Sequence, residues 1–275
     1  MKKSDTSWGK VADWYDDYLT NDDSYQKAVI LPNLMRILDP KPGEHIVDLA
    51  CGQGFFSEKI ALSKATVTGV DISSELINKA EIRIKLLQKE KNIKAKFIVS
   101  SADDLSMIPA LSVEKIICVL AAQNIKELDT MFGECARVLK KAGKFILVLN
   151  HPSFRVPQAS DWYFAEAKKA ILIPGTNQRA GNTPARQGRV VYQYLSEGAI
   201  KIDMNPGSIK DKKFTLSYHR PLQVFVKWLS KRGFVITRLE EWMSHKTSKR
   251  GPRASIEDTA RKEIPMFMCI EAKLN

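Results

Sequence analysis

Short apolar runs alternate with longer amphipathic stretches between residues 41 and 150. The short runs are rich in Val, Ile and Phe, as buried strands are, whereas the stretches between them repeat apolar positions at helical spacing. We predict strands at 45–49, 67–71, 95–99, 115–121 and 145–150, and helices at 55–64, 74–91 and 127–140. This alternation predicts a parallel sheet with helices on both faces.

The remaining segments do not follow this alternation. Residues 1–40 predict a helical lead-in that stops before Asp39-Pro40, and residues 222–275 predict a helix at 222–234 and strands at 235–242 and 265–272. These strands complete a doubly wound, mainly parallel, seven-stranded α/β sheet. Residues 151–221 have strand character only at 190–195, 199–203 and 213–219, which predicts an α+β insertion after the fifth strand.

Composition describes an ordinary soluble globular protein, because 44% of the 275 residues are apolar and 8% are aromatic. We find neither a leader segment after Met1 nor an apolar run long enough to cross a membrane, so we expect a cytoplasmic protein. The four cysteines lack the spacing of metal ligands, and we expect buried free thiols and no metal site. They are Cys51, Cys118, Cys135 and Cys269.

Positive charge is concentrated in the second half of the chain. The net charge is +12, and residues 151–275 contribute +11 of it, with 22 Lys and Arg against 11 Asp and Glu. An anionic substrate, an acidic partner or nucleic acid would be attracted to this half. The alternative interpretation is a lysine-rich surface without a specific ligand.

The segment from His45 to Ser57 carries the most specific motif. A strand ending in Asp48 is followed by a turn with Gly52 and Gly54, and then by a helix, which brings backbone N–H groups close to a ligand. Asp48 would repel a pyrophosphate but suits a ligand with an ammonium or sulfonium, and Ser57 replaces the third glycine of the dinucleotide fingerprint. The loop therefore favours S-adenosylmethionine over NAD or FAD.

A second acidic residue supports this interpretation. Asp71 ends the next predicted strand, about 20 residues after the glycine turn, where a doubly wound fold places the carboxylate that binds ribose hydroxyls. Ser73 is suited to cap the helix that follows.

These motifs resemble those of the class I S-adenosylmethionine-dependent methyltransferases, particularly the branch that includes the ubiquinone- and menaquinone-biosynthesis methylases. The resemblance implies that 41–150 is the cofactor-binding core, 1–40 a helical lid, 151–221 a substrate lid and 222–275 the closing helix and strands. It also implies a cofactor-binding set that continues past the third strand and includes a lid tyrosine from the sequence Trp-Tyr-Asp. The set is Tyr15, Asp48, Ala50, Gly52, Gln53, Gly54, Asp71, Ile72, Ser101, Ala102 and Asp103.

Two places depart from the family pattern. Ser101 stands where an aspartate commonly meets the adenine, so either Ser101 or Asp103 is expected to take that role. After the fourth strand, the residues 121–124 replace a common His-His pair. Backbone contacts to the cofactor would survive there, although the chemistry of the pocket differs.

Histidines are the candidate bases, because an acceptor that arrives as a hydroxyl must lose a proton. His151 follows the fifth strand at the edge where open α/β sheets bind ligands, and we rank it first. His219 ends the last strand of the insertion and ranks second; on this strand, Thr215, Ser217 and His219 are expected to share one face. We expect His45 to be structural.

The sequence thus predicts an S-adenosylmethionine-dependent methyltransferase acting on a small-molecule acceptor through an O, N or C nucleophile. One alternative is an RNA methyltransferase, which the basic second half suggests and the lack of an RNA-binding module disfavours. The other is a non-catalytic scaffold that binds the cofactor and regulates a partner.

Overall fold

One twisted sheet of seven strands forms the centre of the molecule, in the order β12-β13-β5-β4-β1-β2-β3. The computed structural model describes residues 22–169, 171–172, 179–180, 183–203 and 214–275. Strands β1 to β5 pair in parallel, β13 runs antiparallel to β5, and β12 runs antiparallel to β13. The sheet strands are β1 His45–Leu49, β2 Thr66–Asp71, β3 Lys94–Val99, β4 Val113–Val119, β5 Leu139–Asn150, β12 Phe234–Trp242 and β13 Phe267–Leu274.

Helices cover both faces of the sheet because its central strands are apolar on both sides. On one face, α1, α2 and α3 enclose a core that includes Ile46 and Val148; on the other, α4 and α5 enclose a core that includes Val47 and Leu147. The helices are α1 Leu31–Leu38, α2 Phe55–Ala61, α3 Ser74–Lys91, α4 Leu128–Val138, α5 Leu222–Lys231 and α6 Ala254–Glu263. The predicted doubly wound, seven-stranded fold is confirmed.

Several predicted boundaries are wrong by a few residues, and positive φ angles explain two of them. The predicted strand 115–121 ends at Val119 because Leu120 has φ 53°, and the helix predicted to reach residue 64 ends at Ala61, with Lys64 at φ 66°. The predicted helix 127–140 ends at Val138, because Leu139 is extended and begins β5. The helix α6 was not predicted; Ala260 is its one buried residue, which leaves little apolar periodicity to detect.

The insertion contains two antiparallel hairpins outside the central sheet. β6 (Ser160–Ala165) pairs with β9 (Arg186–Val191), and β10 (Gly198–Asp203) pairs with β11 (Phe214–His219). A short pair, β7 (Ile171–Leu172) and β8 (Arg179–Ala180), lies between β6 and β9 along the chain. β6 was not predicted, and the strand expected at 190–195 ends at Val191, before a turn in which Gln193 has φ 53°.

No helix in the described ranges is long and apolar enough to cross a lipid bilayer. All four cysteines are buried and free, as expected.

Candidate cofactor site

The carboxyl ends of β1, β2 and β4 surround a pocket of about 320 Å³. This is the edge at which open α/β sheets bind ligands. Gly54 lies in the turn but not on the pocket wall, and Tyr15 lies outside the described residues. The predicted residues that line the pocket are Asp48, Ala50, Gly52, Gln53, Asp71, Ile72, Ser101, Ala102 and Asp103.

The turn after β1 has an unusual backbone that leaves open space for a ligand. Ala50, Gly52 and Gly54 have φ angles of 57°, 54° and 76°. A Cβ added to Gly52 would meet nothing within 4 Å, whereas one on Gly54 would lie 3.0 Å from the Cβ of Ala80 in α3. Gly52 therefore keeps the pocket open, and Gly54 lets α2 pack closely on α3.

Asp48 is a carboxyl group held inside the protein below this turn. Its side chain is 2% exposed, and Oδ2 accepts a hydrogen bond of 2.6 Å from the Ser57 hydroxyl. Burial, with a smaller contribution from the charge of Asp71, raises the pKa of Asp48 to about 7. Ser57, at the place of the missing third glycine, thus orients the acidic group.

Asp71 connects the ends of β1 and β2. Its carboxylate accepts backbone hydrogen bonds of 2.9 Å from Gly52 and from Ser73. Burial raises the pKa of Asp71, and these backbone N–H groups oppose the rise by stabilising the charged form. Asp71 therefore fixes the glycine turn as well as facing the pocket. Ser73 caps α3 as predicted, accepting from the Leu76 N–H at 3.3 Å.

Gln53 brings an unsatisfied amide to the pocket wall. The residue is 1% exposed, and neither its Nε2 nor its Oε1 has a hydrogen-bond partner among the residues that the structure describes. A buried amide without partners costs free energy unless a ligand or water satisfies it. Two carboxyl groups, an open glycine turn and this amide suit a ligand with an ammonium group and ribose hydroxyls, as S-adenosylmethionine has.

The opposite wall of the pocket was not in the predicted set. It consists of Val119 to Ala121 at the end of β4 and Asn124 to Glu127 in the loop before α4. Backbone contacts to the cofactor are expected at residues 121–124, but the predicted set names no residue of this loop, and residues 125–127 are not anticipated. Leu120 is a non-glycine residue with φ 53°, and strain of this kind clusters at binding sites.

The candidate bases do not line this pocket. His219 is buried, and its Nε2 donates to the Tyr194 carbonyl at 2.7 Å. The predicted alternation holds on β11, because Thr215, Ser217 and His219 are buried while Phe214 and Leu216 are 44% exposed. The other two histidines bond to neighbouring side chains away from the pocket: His45 Nε2 to the Thr68 hydroxyl and His245 Nε2 to the Asp23 carboxylate.

His151 lies between two polar side chains just past β5. Its Nε2 is 2.7 Å from a carboxylate oxygen of Glu241 on β12, and its Nδ1 is 2.7 Å from the Ser153 hydroxyl. The Ser153 backbone N–H also donates to Nδ1, at 3.2 Å. Nδ1 is therefore the acceptor, and the proton on Nε2 points to Glu241. Within the described ranges, no cluster of three or more His, Cys, Asp and Glu side chains could hold a metal ion.

A parallel sheet of this order with a ligand pocket at its carboxyl edge is the class I methyltransferase architecture. Residues 40–171 match the family model described as a methyltransferase domain. They therefore form a methyltransferase domain, and the predicted resemblance to the S-adenosylmethionine-dependent class is confirmed.

Relatives and solved structures agree with this assignment. The chain is 30% identical over 105 residues to the ubiquinone biosynthesis O-methyltransferase of Xanthomonas oryzae, covering 38% of this chain and 42% of that relative. An S-adenosylmethionine-dependent methyltransferase from Mesorhizobium loti has a TM-score of 0.63 at 21% identity, covering 92% of this chain and 99% of the other. One from Clostridium acetobutylicum has a TM-score of 0.56 at 16% identity, covering 98% and 99%. The curated relatives thus support the core, and the solved structures support the fold across nearly the whole chain.

Proposed function

We propose that this chain is an enzyme that binds S-adenosylmethionine and transfers its methyl group to a hydroxyl oxygen of a small anionic molecule. The observation that carries the proposal is the pair of buried carboxyl groups, Asp48 and Asp71, on either side of an open glycine turn. When bound, S-adenosylmethionine would supply a methyl group activated by a sulfonium, whose sulfur leaves as a neutral thioether when an aligned nucleophile bonds to the methyl carbon.

The pocket residues have distinct roles in this proposal. Asp48 and the unpartnered amide of Gln53 bind the amino-acid end, Asp71 binds the ribose, and Ser101 to Asp103 frame the adenine. Methyl transfer needs mainly alignment and exclusion of water. The rigid turn, held by the bonds from Gly52 to Asp71 and from Ser57 to Asp48, supplies the alignment.

A hydroxyl acceptor is proposed because the curated relatives are O-methyltransferases. Such an acceptor must lose a proton, and His151 is the better placed of the two candidate bases. Its Nδ1 accepts from Ser153, so the proton of an acceptor would reach the ring through the Ser153 hydroxyl, and the Glu241 carboxylate at Nε2 holds the ring in the tautomer this requires. His151 follows β5, the neighbour of β4, whose end forms part of the pocket wall.

An anionic acceptor is proposed because of Arg155, four residues after His151. Its side chain is exposed, and among the described residues it forms neither a hydrogen bond nor an ion pair through its guanidinium. Surrounding protein still lowers the pKa of Arg155 by desolvation. An accessible but partly desolvated guanidinium favours binding of a carboxylate or phosphate.

Calorimetric titration with S-adenosylhomocysteine tests the cofactor site. We expect binding in the micromolar range, about −8 kcal/mol. The change Asp71→Ala removes an acceptor of two backbone N–H groups as well as the ribose contact, so it should weaken binding roughly a hundredfold. Asp258→Ala is the matched control, because Asp258 also accepts a backbone N–H, from Ser248 at 2.7 Å, but lies on α6. A folded wild-type protein without affinity would contradict the proposal.

The acceptor class is tested with phenolic carboxylates and their uncharged methyl esters, by measuring formation of S-adenosylhomocysteine. We expect turnover of the acids in preference to the esters, and we expect Arg155→Gln to remove that preference without changing cofactor affinity. Equal turnover of acids and esters by the wild-type protein would exclude recognition of the anion.

A further inference from the structure

The second hairpin of the insertion contacts the wall of the cofactor pocket. The Asn124 side chain, which lines the pocket, donates through Nδ2 to the Leu216 carbonyl of β11 at 2.8 Å. The short helical turn Ala122–Asn124 packs against β11. Most of this wall belongs to the loop 121–127. β11 follows that loop by about 90 residues along the chain.

Arg220 makes a second connection between the same two elements. The residue is 8% exposed and directly follows β11. Its Nη2 donates to the Lys126 carbonyl at 2.8 Å, and its Nη1 donates to the Ala122 carbonyl at 3.4 Å. One planar guanidinium therefore joins both ends of the loop through two of its nitrogen atoms.

Arg220 lies in an environment that strengthens its hydrogen bonds to the loop. Among the described residues it has no carboxylate ion-pair partner, and its guanidinium lies 4.9 Å from the centre of the Tyr218 ring. Burial lowers the pKa of Arg220. A buried cation that donates to backbone carbonyls stabilises the conformation that presents those carbonyls.

We propose that Arg220 is a positioning residue that holds the loop 121–127 in its cofactor-binding conformation, so that cofactor binding and docking of the β10–β11 hairpin are coupled. The inference rests on the proposed function, because it assumes that the cofactor occupies this pocket. The other polar contacts of the loop are largely local, such as Gln123 Nε2 to the Leu120 carbonyl at 2.6 Å. Docking of β11 thus supplies long-range support to the loop, and reciprocity requires bound cofactor to stabilise the docked hairpin.

Arg189 provides a matched control within the insertion. It also donates to two backbone carbonyls, Phe154 at 2.7 Å and Ser160 at 3.1 Å, but these lie next to the β6–β9 hairpin and not on the pocket wall. Arg189→Met removes the same chemistry as Arg220→Met without touching the loop 121–127.

The test is titration of the full chain and its variants with S-adenosylhomocysteine. Arg220→Met should weaken binding about tenfold, the usual effect of losing hydrogen bonds to a charged group. Arg220→Lys should recover part of the affinity, and Arg189→Met should stay within about twofold of wild type. Affinity of folded Arg220→Met within twofold of wild type would overturn the proposal.

Hydrogen exchange on the wild-type protein supplies a second readout that does not depend on how a variant folds. Saturating S-adenosylhomocysteine should slow amide exchange in β10 and β11 more than in β6 and β9, because among the described residues β11 is the strand of the insertion that bonds to the loop 121–127. Equal protection of the two hairpins would contradict the coupling between cofactor binding and hairpin docking but would leave the proposed function standing. A wild-type protein that does not bind S-adenosylhomocysteine would instead contradict the proposed function and the coupling together.

Discussion

The cofactor pocket and the 151–221 insertion meet at one edge of the sheet but are stabilised in different ways. In the pocket, carboxyl groups are buried: Asp48 and Asp71 are 2% and 8% exposed, and each is held by short hydrogen bonds. In the insertion, arginines donate to backbone carbonyls and stack on aromatic rings, as Arg189 does on Phe154 at 4.6 Å. The two regions therefore concentrate opposite charges.

Many arginines outside the insertion form ion pairs with carboxylates. These are Arg36, Arg83, Arg137, Arg232, Arg238 and Arg261. By contrast, Arg155, Arg189 and Arg220 have no ion pair among the described residues, and desolvation by the surrounding protein lowers the pKa of each, although Arg155 is exposed. The difference indicates that charged groups kept available to ligands lower the stability of the folded protein in both regions. Variants in each region measure the size of that loss.

The largest effect on stability is expected for Asp48→Asn. The pKa of Asp48 rises from 3.8 to about 7 on folding, so the native state keeps a proton that the unfolded chain releases between these values. Stability therefore falls as the pH rises from about 4 to 7, by up to about 4 kcal/mol. The neutral amide avoids this loss, so chemical denaturation at pH 8 should show a more stable variant that binds S-adenosylhomocysteine far more weakly.

The stability difference between Asp48→Asn and wild type that depends on pH should disappear near pH 3, below both pKa values, where Asp48 is protonated in both states. A variant that is less stable than wild type at pH 8 would show that Asp48 is not a costly buried charge.

Cofactor affinity of the wild-type protein should depend on pH through the same group. Protonation of Asp48 removes the negative charge that attracts the ammonium of S-adenosylhomocysteine, and its pKa is about 7 without ligand. Titrations should show affinity falling by up to about tenfold per pH unit below this value. Asp48→Asn should give a flat profile between pH 5.5 and 8, and a wild-type profile as flat as that would exclude Asp48 as the cause.

A pair of glycine substitutions compares packing in the two regions. A Cβ on Gly69 in β2 would lie 2.4 Å from a ring carbon of Phe97, whereas one on Gly198 in β10 would meet nothing within 4 Å. Gly69→Ala should therefore destabilise the protein by about 1–3 kcal/mol, and Gly198→Ala should change stability by about 0.5 kcal/mol or less. Equal effects in chemical denaturation would show that the insertion is packed as tightly as the core.

The pocket was predictable from the sequence because its features depend on local order along the chain. A strand, an acidic residue and a glycine turn determine where Asp48 and Gly52 lie, and parallel pairing then brings Asp71 beside them. Ser57 appeared in the sequence as a missing glycine, and only the structure shows its bond to Asp48. The sequence predicted backbone contacts to the cofactor at 121–124, but it did not predict how the loop 121–127 is held, because that support comes from Arg220, far along the chain.

The insertion was harder to predict because hairpins between distant strands carry no local signal of register. β6 pairs with β9 across about 20 intervening residues, so that Trp162 lies opposite Arg189, and a connection of this length carries none of the sequence signals of a short hairpin turn. Alternation along a single strand was still informative, and it correctly placed Thr215, Ser217 and His219 on one face of β11.

The smallest effect is expected for Arg189→Met, which tests whether the β6–β9 hairpin is stabilised separately from the core. The change removes the donors to Phe154 and Ser160 and the stacking on Trp162, whose ring centre is 5.5 Å away. We expect local loosening of about 1–2 kcal/mol, seen as faster amide exchange in β6 and β9. The midpoint of thermal unfolding should move by less than about 2 °C, because local opening does not require the core to unfold. Arg189→Lys keeps the charge but loses the planar guanidinium, so its amide exchange rates in β6 and β9 should lie between those of wild type and Arg189→Met. A large fall in the midpoint with Arg189→Met would show instead that the hairpin and the sheet unfold as one cooperative unit.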